Sequence, residues 1–160
     1  MKKSTLIIFS ALLMFVISCK KEKTITPLNL NNGDYFIFGT YAGECTGDCA
    51  RFYVIKDNNI YADDNVNYFY NDSLRFNNSP LETEKYNLSQ SLLTDFPTYL
   101  LQHKNETFGC PDCTDGGALY IKLKKDGTTS YWYIDNFTYN QPEEIRNYIM
   151  QLQKVINSLR

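Results

Sequence analysis

The sequence contains a single histidine, His103, in 160 residues. Histidine is the side chain that changes charge near neutral pH, and it supplies the base in most nucleophilic triads. His103 follows the apolar pair Leu100-Leu101, so we expect it at the exposed end of a helical segment. With one histidine, most acid–base schemes are excluded, and we expect neither an enzyme nor a bound cofactor.

Basic residues are also few, because 16 Lys and Arg stand against 18 Asp and Glu, for a formal net charge of −2. Nucleic-acid-binding proteins neutralise phosphates with clustered Lys and Arg, and no such stripe occurs here. A glycine-rich phosphate loop is missing too, since Gly116-Gly117 precedes a predicted strand rather than a helix. Nucleic acid is therefore excluded as a partner.

Long hydrophobic runs are absent, and the apolar run at residues 6–17 is too short to cross a bilayer. It follows Lys2 and Lys3, which is the pattern of a secretory signal. It ends in Val16-Ile17-Ser18-Cys19, which resembles the lipobox of bacterial lipoproteins. The resemblance implies that residues 1–18 are a signal peptide and that Cys19 is lipidated, with palmitate among the acyl groups.

The residues after Cys19 are polar and show neither helical nor strand periodicity. We therefore predict that residues 19–32 are the lipidated cysteine and a flexible tether, and that residues 33–160 form a single α+β domain. Lys20-Lys21-Glu22 resembles the export tags of some Bacteroidetes lipoproteins. These resemblances imply a cell-envelope protein attached by lipid, with the outer membrane as the expected membrane and its face left open.

Short β-rich segments separated by polar turns predict an antiparallel meander of about six strands. They lie at residues 35–41, 51–56, 60–62, 66–70, 118–123 and 130–134, with a further short strand expected at residues 85–88. The last two segments of the main set are joined through Asp126-Gly127, a strong hairpin signal.

Two regions have helical periodicity. Residues 89–101 carry apolar side chains at helical spacing, interrupted by Pro97. The C-terminal region repeats apolar residues three and four apart after Pro142, Glu143 and Glu144, which suit a first helical turn. The predicted fold is α+β, an antiparallel meander sheet with the C-terminal helix packed on one face.

The four cysteines other than Cys19 occur as two close pairs, Cys45 with Cys49 and Cys110 with Cys113. An even number of cysteines in an exported protein predicts disulfides. Sequence leaves the pairing open. Bridges within each pair would rigidify two loops, whereas bridges between the pairs would close long segments of chain.

Two other chemistries suit the same cysteines. Cys110-Pro-Asp-Cys113 resembles the active site of thioredoxin-like oxidoreductases, although Asp112 would raise the pKa of a neighbouring thiol and a strand is predicted to follow. The motif also resembles a zinc-ribbon knuckle, and all four cysteines could then bind one zinc ion. These readings give the alternative of an exported thiol–disulfide or metal-binding protein.

The whole arrangement, with the lipobox and Gly109-Cys-Pro-Asp-Cys113, resembles small lipoproteins of the Bacteroidetes and brings no activity with it. Asp72-Ser73-Leu74 resembles the O-glycosylation pattern of their exported proteins, which implies a glycan on Ser73. We therefore expect a lipid-anchored, disulfide-stabilised envelope protein. Its expected role is that of a non-enzymatic binding or accessory module, with a ligand in the envelope or outside the cell.

Overall fold

A computed structural model describes residues 25–64, 69, 74–113 and 116–160. In these residues the strands are β1 (Tyr35–Tyr41), β2 (Ala50–Lys56), β3 (Asn59–Ala62), β4 (Glu106–Phe108), β5 (Ala118–Lys125) and β6 (Thr128–Asp135). The helices are α1 (Thr83–Ser89), α2 (Ser91–Thr94), α3 (Thr98–Gln102) and α4 (Glu143–Leu159), with a 3-10 helix at Thr138–Asn140. The α+β class and the six-stranded sheet are confirmed.

The strands lie side by side in the order β3-β2-β1-β5-β6-β4. All neighbours are antiparallel except β4, which pairs in parallel with β6. The prediction of a purely antiparallel meander is therefore wrong at this edge. After β4 the chain crosses to the far side of the place that β6 will occupy and forms β5 there. It then turns back and forms β6 between β5 and β4, so β6 runs in the same direction as β4.

Two turns form as their residues predict. Asp57 and Asn58 between β2 and β3, and Asp126 and Gly127 between β5 and β6, all have positive φ. Consecutive positive φ angles define the tight hairpin turn whose twist matches that of the flanking strands. Asp, Asn and Gly tolerate this backbone conformation, so these two hairpins are encoded locally.

The C-terminal helix α4 covers one face of the sheet, as predicted, because its apolar residues recur on one side of the helix. That side meets buried side chains of the strands and of α2. The principal members of this core are Phe36, Phe38, Ile55, Leu119, Ile121 and Trp132 from the sheet, Leu92 and Phe96 from the middle region, and Ile145, Ile149, Leu152 and Ile156 from α4.

The middle region differs in detail from the prediction. The expected strand at residues 85–88 is wrong, because these residues form the middle of α1. Ser89 is the last residue of that helix, and its hydroxyl donates to the Tyr86 carbonyl oxygen at 2.8 Å. Pro97, which interrupts the helical pattern, occupies the N-cap position of α3.

Residues 25–32 contact the domain. The Thr26 N–H donates to the Phe96 carbonyl oxygen, and the Leu28 N–H donates to the Leu93 carbonyl oxygen, each at 2.9 Å. Leu28 is 5% exposed and belongs to the core. Leu28 therefore packs against the middle region of the chain, although it lies in the segment predicted to be a tether.

The other face of the sheet carries a second, aromatic cluster. The Phe69 ring packs against Phe52 and Tyr120, with ring centroids 4.8 and 4.7 Å apart. It also lies 5.0 Å from the Tyr41 ring. The predicted strand at residues 66–70 otherwise lies outside the described residues.

No helix within the described ranges has both the length and the apolar character needed to cross a membrane. The expected signal peptide, the lipidation site Cys19 and the glycosylation site Ser73 all lie outside those ranges.

Candidate functional site

Three loops meet at one end of the sheet, because β1, β4 and β6 all end there while β2 and β5 begin there. We call this region the loop end. It comprises residues 42–49 between β1 and β2, residues 109–113 and 116–117 between β4 and β5, and residues 136–142 between β6 and α4. Both cysteine pairs lie in it.

The cysteines form two local disulfides, Cys45–Cys49 and Cys110–Cys113, each with Cα atoms 5.5 Å apart. The pairing that the sequence left open is therefore within each pair. Closing so few residues contributes about 2 kcal/mol per bridge in the chain-entropy model, against about 4 kcal/mol for long-range bridges. Their main structural effect is thus to order the loops in which they lie.

Asp112 connects the two disulfide loops. Its carboxylate accepts one hydrogen bond from the Gly43 N–H at 2.6 Å and another from the Gly117 N–H at 3.1 Å. A Cβ at position 43 would collide with this carboxylate, so a larger residue there would displace the Asp112 side chain from the Gly43 N–H. Because residues 43 and 112 are distant in sequence, this contact makes the two loops a single surface.

Asp135, the last residue of β6, organises the remaining loop. Its side chain accepts hydrogen bonds from the Phe137 N–H at 2.8 Å, the Asn140 side-chain amide at 2.8 Å and the Cys110 N–H at 3.1 Å. The residue is 3% exposed. Burial alone would raise the pKa of Asp135, but these hydrogen bonds outweigh it and hold the pKa below its usual value.

A pocket of about 310 Å³ opens in this region. Its wall includes residues of the Cys45–Cys49 loop together with Arg51, Gly116, Gly117, Asn136 and Arg160. Asp48 also lines it and forms an ion pair with Arg51. The pocket therefore offers a carboxylate, a guanidinium and an amide, which together donate and accept hydrogen bonds.

Two aromatic side chains adjoin the pocket wall. Phe137 is 45% exposed and Tyr139 is 71% exposed. Their ring centroids are 5.6 Å apart and the ring planes are inclined by 33°. A Cβ at Gly116 would lie 3.3 Å from the Phe137 ring, so this ring lies against the Gly116 backbone beside the pocket.

The Cys110–Cys113 bridge differs from a catalytic disulfide in its surroundings. Both residues are exposed, and the Cys113 N–H donates to the Cys110 carbonyl oxygen in a tight turn. The next named element is strand β5, whereas a low thiol pKa depends on a helix N-terminus. The carboxylates of Asp112 and Asp135 bond nearby backbone N–H groups, and they would disfavour a thiolate.

For a metal ion, the described part of the chain contains no group of three or more His, Cys, Asp or Glu in a binding arrangement. Cysteines joined in disulfides present no thiolate to zinc. The zinc alternative would therefore require both bridges to be reduced.

His103 has structural contacts. Its ring stacks on Tyr99 with centroids 4.1 Å apart, and its Nδ1 lies 3.2 Å from a Glu106 carboxylate oxygen. Its carbonyl oxygen accepts a hydrogen bond from the Trp132 indole at 2.6 Å. These contacts position α3 beside β4.

Sequence reasoning missed Asp135, Phe137 and Tyr139. The available signal was the polar stretch at residues 135–140, which holds two aromatic residues between a predicted strand and Pro142. The polar residues next to these aromatic side chains in sequence offer little apolar surface to bury them. Such a stretch therefore marks a candidate exposed aromatic site.

Asp63, beyond the end of β3, has a raised pKa. Burial is the main cause and brings the pKa to about 6, with the nearby Asp48 and Asp64 adding to it. The hydrogen bond from the Phe52 N–H at 3.0 Å and the charge of Arg51 act in the opposite direction. The folded protein therefore binds a proton at Asp63 more tightly than the unfolded chain does.

Because the folded pKa is raised, stability should fall as the pH rises from about 4 to about 6 and then level off. We expect Asp63→Asn to raise the free energy of unfolding above pH 6 by about 1–2 kcal/mol, after allowance for solvent screening. Urea unfolding of both proteins across this pH range measures the difference. Asp57→Asn, at an exposed aspartate in the turn between β2 and β3, serves as the matched control. A difference between Asp63→Asn and the wild type that does not change with pH would contradict the prediction.

No protein-family model and no curated protein matches the chain. The candidate function is therefore inferred from the two disulfide loops, the pocket and the aromatic pair.

Proposed function

We propose that the protein is a lipid-anchored, disulfide-stabilised component of the bacterial envelope that acts as a non-enzymatic binding module. Cys19 carries the lipid after removal of residues 1–18, and the membrane is the outer membrane. The loop end faces the ligand. Support for the anchor comes from the lipobox resemblance of residues 16–19.

The observation that carries the binding role is the hydrogen bonding of Asp112 to both disulfide loops. Two loops that are each closed by a bridge and joined to one another lose little conformational freedom when a ligand binds. Binding residues are commonly presented on loops held by a rigid scaffold. The loop end combines such loops with an open pocket of mixed polar lining.

The alternative is an exported thiol–disulfide protein, and the exposure of Cys110 and Cys113 favours it. The neighbouring Asp112 and Asp135 carboxylates oppose it, because they destabilise the thiolate that such chemistry requires. A metal-binding role of the four cysteines would likewise begin from the reduced protein. One measurement separates these roles from the binding module.

We expect the intact protein, purified from bacterial membranes without reductant, to have the mass of residues 19–160 plus fatty acyl groups. That mass should be lower by the hydrogens lost in two disulfides, and alkylation should add nothing until a reductant is present. A glycan on Ser73 would appear in the same spectrum as added sugar mass.

Cys19→Ser is the matched variant and should leave the protein without lipid while both disulfides remain. An unlipidated wild-type protein would contradict the anchor. Alkylation of Cys110 and Cys113 without reductant, or a zinc adduct under non-denaturing conditions, would favour the thiol or metal alternative.

A further inference from the structure

The aromatic pair Phe137 and Tyr139 lacks the burial expected of such residues. Large aromatic side chains in folded proteins normally bury most of their area. Tyr139 is nevertheless 71% exposed, and Phe137 is 45% exposed. The two rings contact each other, with centroids 5.6 Å apart and planes inclined by 33°, and both are open to solvent, and we call this pair the platform.

The platform is held in place by hydrogen bonds on both sides of it. The Phe137 N–H and the Asn140 side chain donate to Asp135, each at 2.8 Å. The Asn136 carbonyl oxygen accepts from the Gln153 side chain of α4 at 2.9 Å. Since the backbone is already ordered, the rings can bind a ligand without a large loss of entropy.

The surroundings of the platform are polar. The pocket that adjoins it at Gly116 and Asn136 is lined by the side chains of Asp48 and Arg51. The fully buried core of a protein interface is instead more apolar than the rest of the surface, with its polar groups at the rim. Among the described residues, the other exposed large apolar side chains lie on other elements, namely Ile25, Leu88, Tyr131 and Met150.

An exposed aromatic pair beside a polar pocket suits a carbohydrate ligand. The C–H groups on one face of a sugar ring carry small positive charges, and the face of an aromatic ring is negative. The hydroxyl groups around the sugar both donate and accept hydrogen bonds. A carboxylate, a guanidinium and an amide supply both kinds of partner.

We propose that the loop end is a carbohydrate-binding site. Phe137 and Tyr139 stack on the sugar rings of a glycan, and Asp48, Arg51 and Asn136 in the adjoining pocket hydrogen-bond the hydroxyls of the next sugar. This inference rests on the proposed binding function and names the ligand class of the same site.

Affinity electrophoresis of the purified full-length protein tests the inference. Native gels are cast with one of four soluble polysaccharides, a β-glucan, a starch-type α-glucan, a mannan or a xylan. We expect at least one polymer to slow the wild-type protein. Phe137→Ala and Tyr139→Ala should each weaken that binding by roughly tenfold, as is typical for the loss of an aromatic anchor.

Tyr131→Ala is the matched control, because Tyr131 is an exposed tyrosine on β6 outside the loop end. It should bind the polymer as the wild type does. Circular dichroism checks that the variants are folded. Lack of retardation by all four polymers, or retardation that both platform variants retain, would overturn the inference.

The outcome of the electrophoresis can be told apart from a failure of the proposed function. The mass spectrum of the same preparation reports lipid and disulfides independently of any glycan. A protein with both features but no polysaccharide binding would overturn the carbohydrate assignment alone. Specific photo-crosslinking of a protein from position 139, in place of polysaccharide binding, would likewise overturn it.

Discussion

Replacement of Gly39 by alanine should lower the free energy of unfolding by about 3 kcal/mol, because overpacking of a core costs about 1–3 kcal/mol and here involves the backbone as well. A Cβ at this position would lie within 3 Å of the Arg51 carbonyl oxygen and the Phe52 Cα atom. These atoms belong to the strand paired with β1, so they cannot withdraw without disturbing the hydrogen bonds between the strands.

Alanine also has a stabilising effect at this position, which is smaller than the steric cost. Alanine in a strand is favoured over glycine by about 0.5–1 kcal/mol, since glycine loses more conformational entropy on folding. The steric cost exceeds this gain. The rings of Phe52 and Tyr120, on the strands either side of Gly39, also meet at 6.0 Å in an edge-to-face contact that the new methyl group would displace.

Urea unfolding of the oxidised protein measures the change. Gly127→Ala is the control, because Gly127 has a φ of 78° but no atom within 4 Å of a built Cβ. Only the cost of a left-handed alanine, about 1 kcal/mol, is expected there. Equal losses of unfolding free energy in Gly39→Ala and Gly127→Ala would contradict the prediction, because the close approach of β2 to Gly39 would then add no cost.

Replacement of Asp135 by alanine should destabilise the protein by about 2–4 kcal/mol and loosen the loop end, because each buried donor left without a partner costs about 1–3 kcal/mol and the loop can relax to satisfy some of the donors. The Cys110 N–H, the Phe137 N–H and the Asn140 amide would all lose their acceptor. The 3% exposure of Asp135 leaves little room for water to replace the carboxylate.

The readout specific to the loop end is the rate at which dithiothreitol reduces each disulfide, followed by alkylation and peptide mapping. Cys110–Cys113 should become easier to reduce in Asp135→Ala, and Cys45–Cys49 should change less, because Asp135 accepts a hydrogen bond directly from the Cys110 N–H and its other bonds come from residues 137 and 140. Asp135→Asn keeps one acceptor oxygen and should show a smaller effect on both stability and reduction. Unchanged reduction in Asp135→Ala would refute the organising role of this carboxylate.

Local features were predictable from sequence because neighbours along the chain determine them. The β-rich composition and short length of residues 35–41 encode a strand, and the Asp126-Gly127 turn encodes a hairpin through its backbone preference. The spacing of apolar residues after Pro142 encodes α4 in the same way. The strand expected at residues 85–88 was wrong because short segments carry too little pattern to separate helix from strand.

Contacts between residues far apart in sequence could not be predicted from the sequence. β4 is three residues long, and nothing in Glu106–Phe108 specifies a parallel partner. Its pairing follows from the path of the chain around β6. The disulfide pairing was equally open, because four cysteines allow three connectivities and only the folded loops select one.

The candidate site shows the same division. The sequence by itself determined a strand-rich domain with a C-terminal helix and two cysteine-containing turns, and the signal peptide that it predicts lies outside the described residues. The tertiary structure alone decided that these turns share one end of the sheet, and that Asp112 bonds Gly43 across 69 positions of sequence. The physical reason is that periodicity and turn preference act within a few residues, whereas a surface is assembled only after the strands have paired.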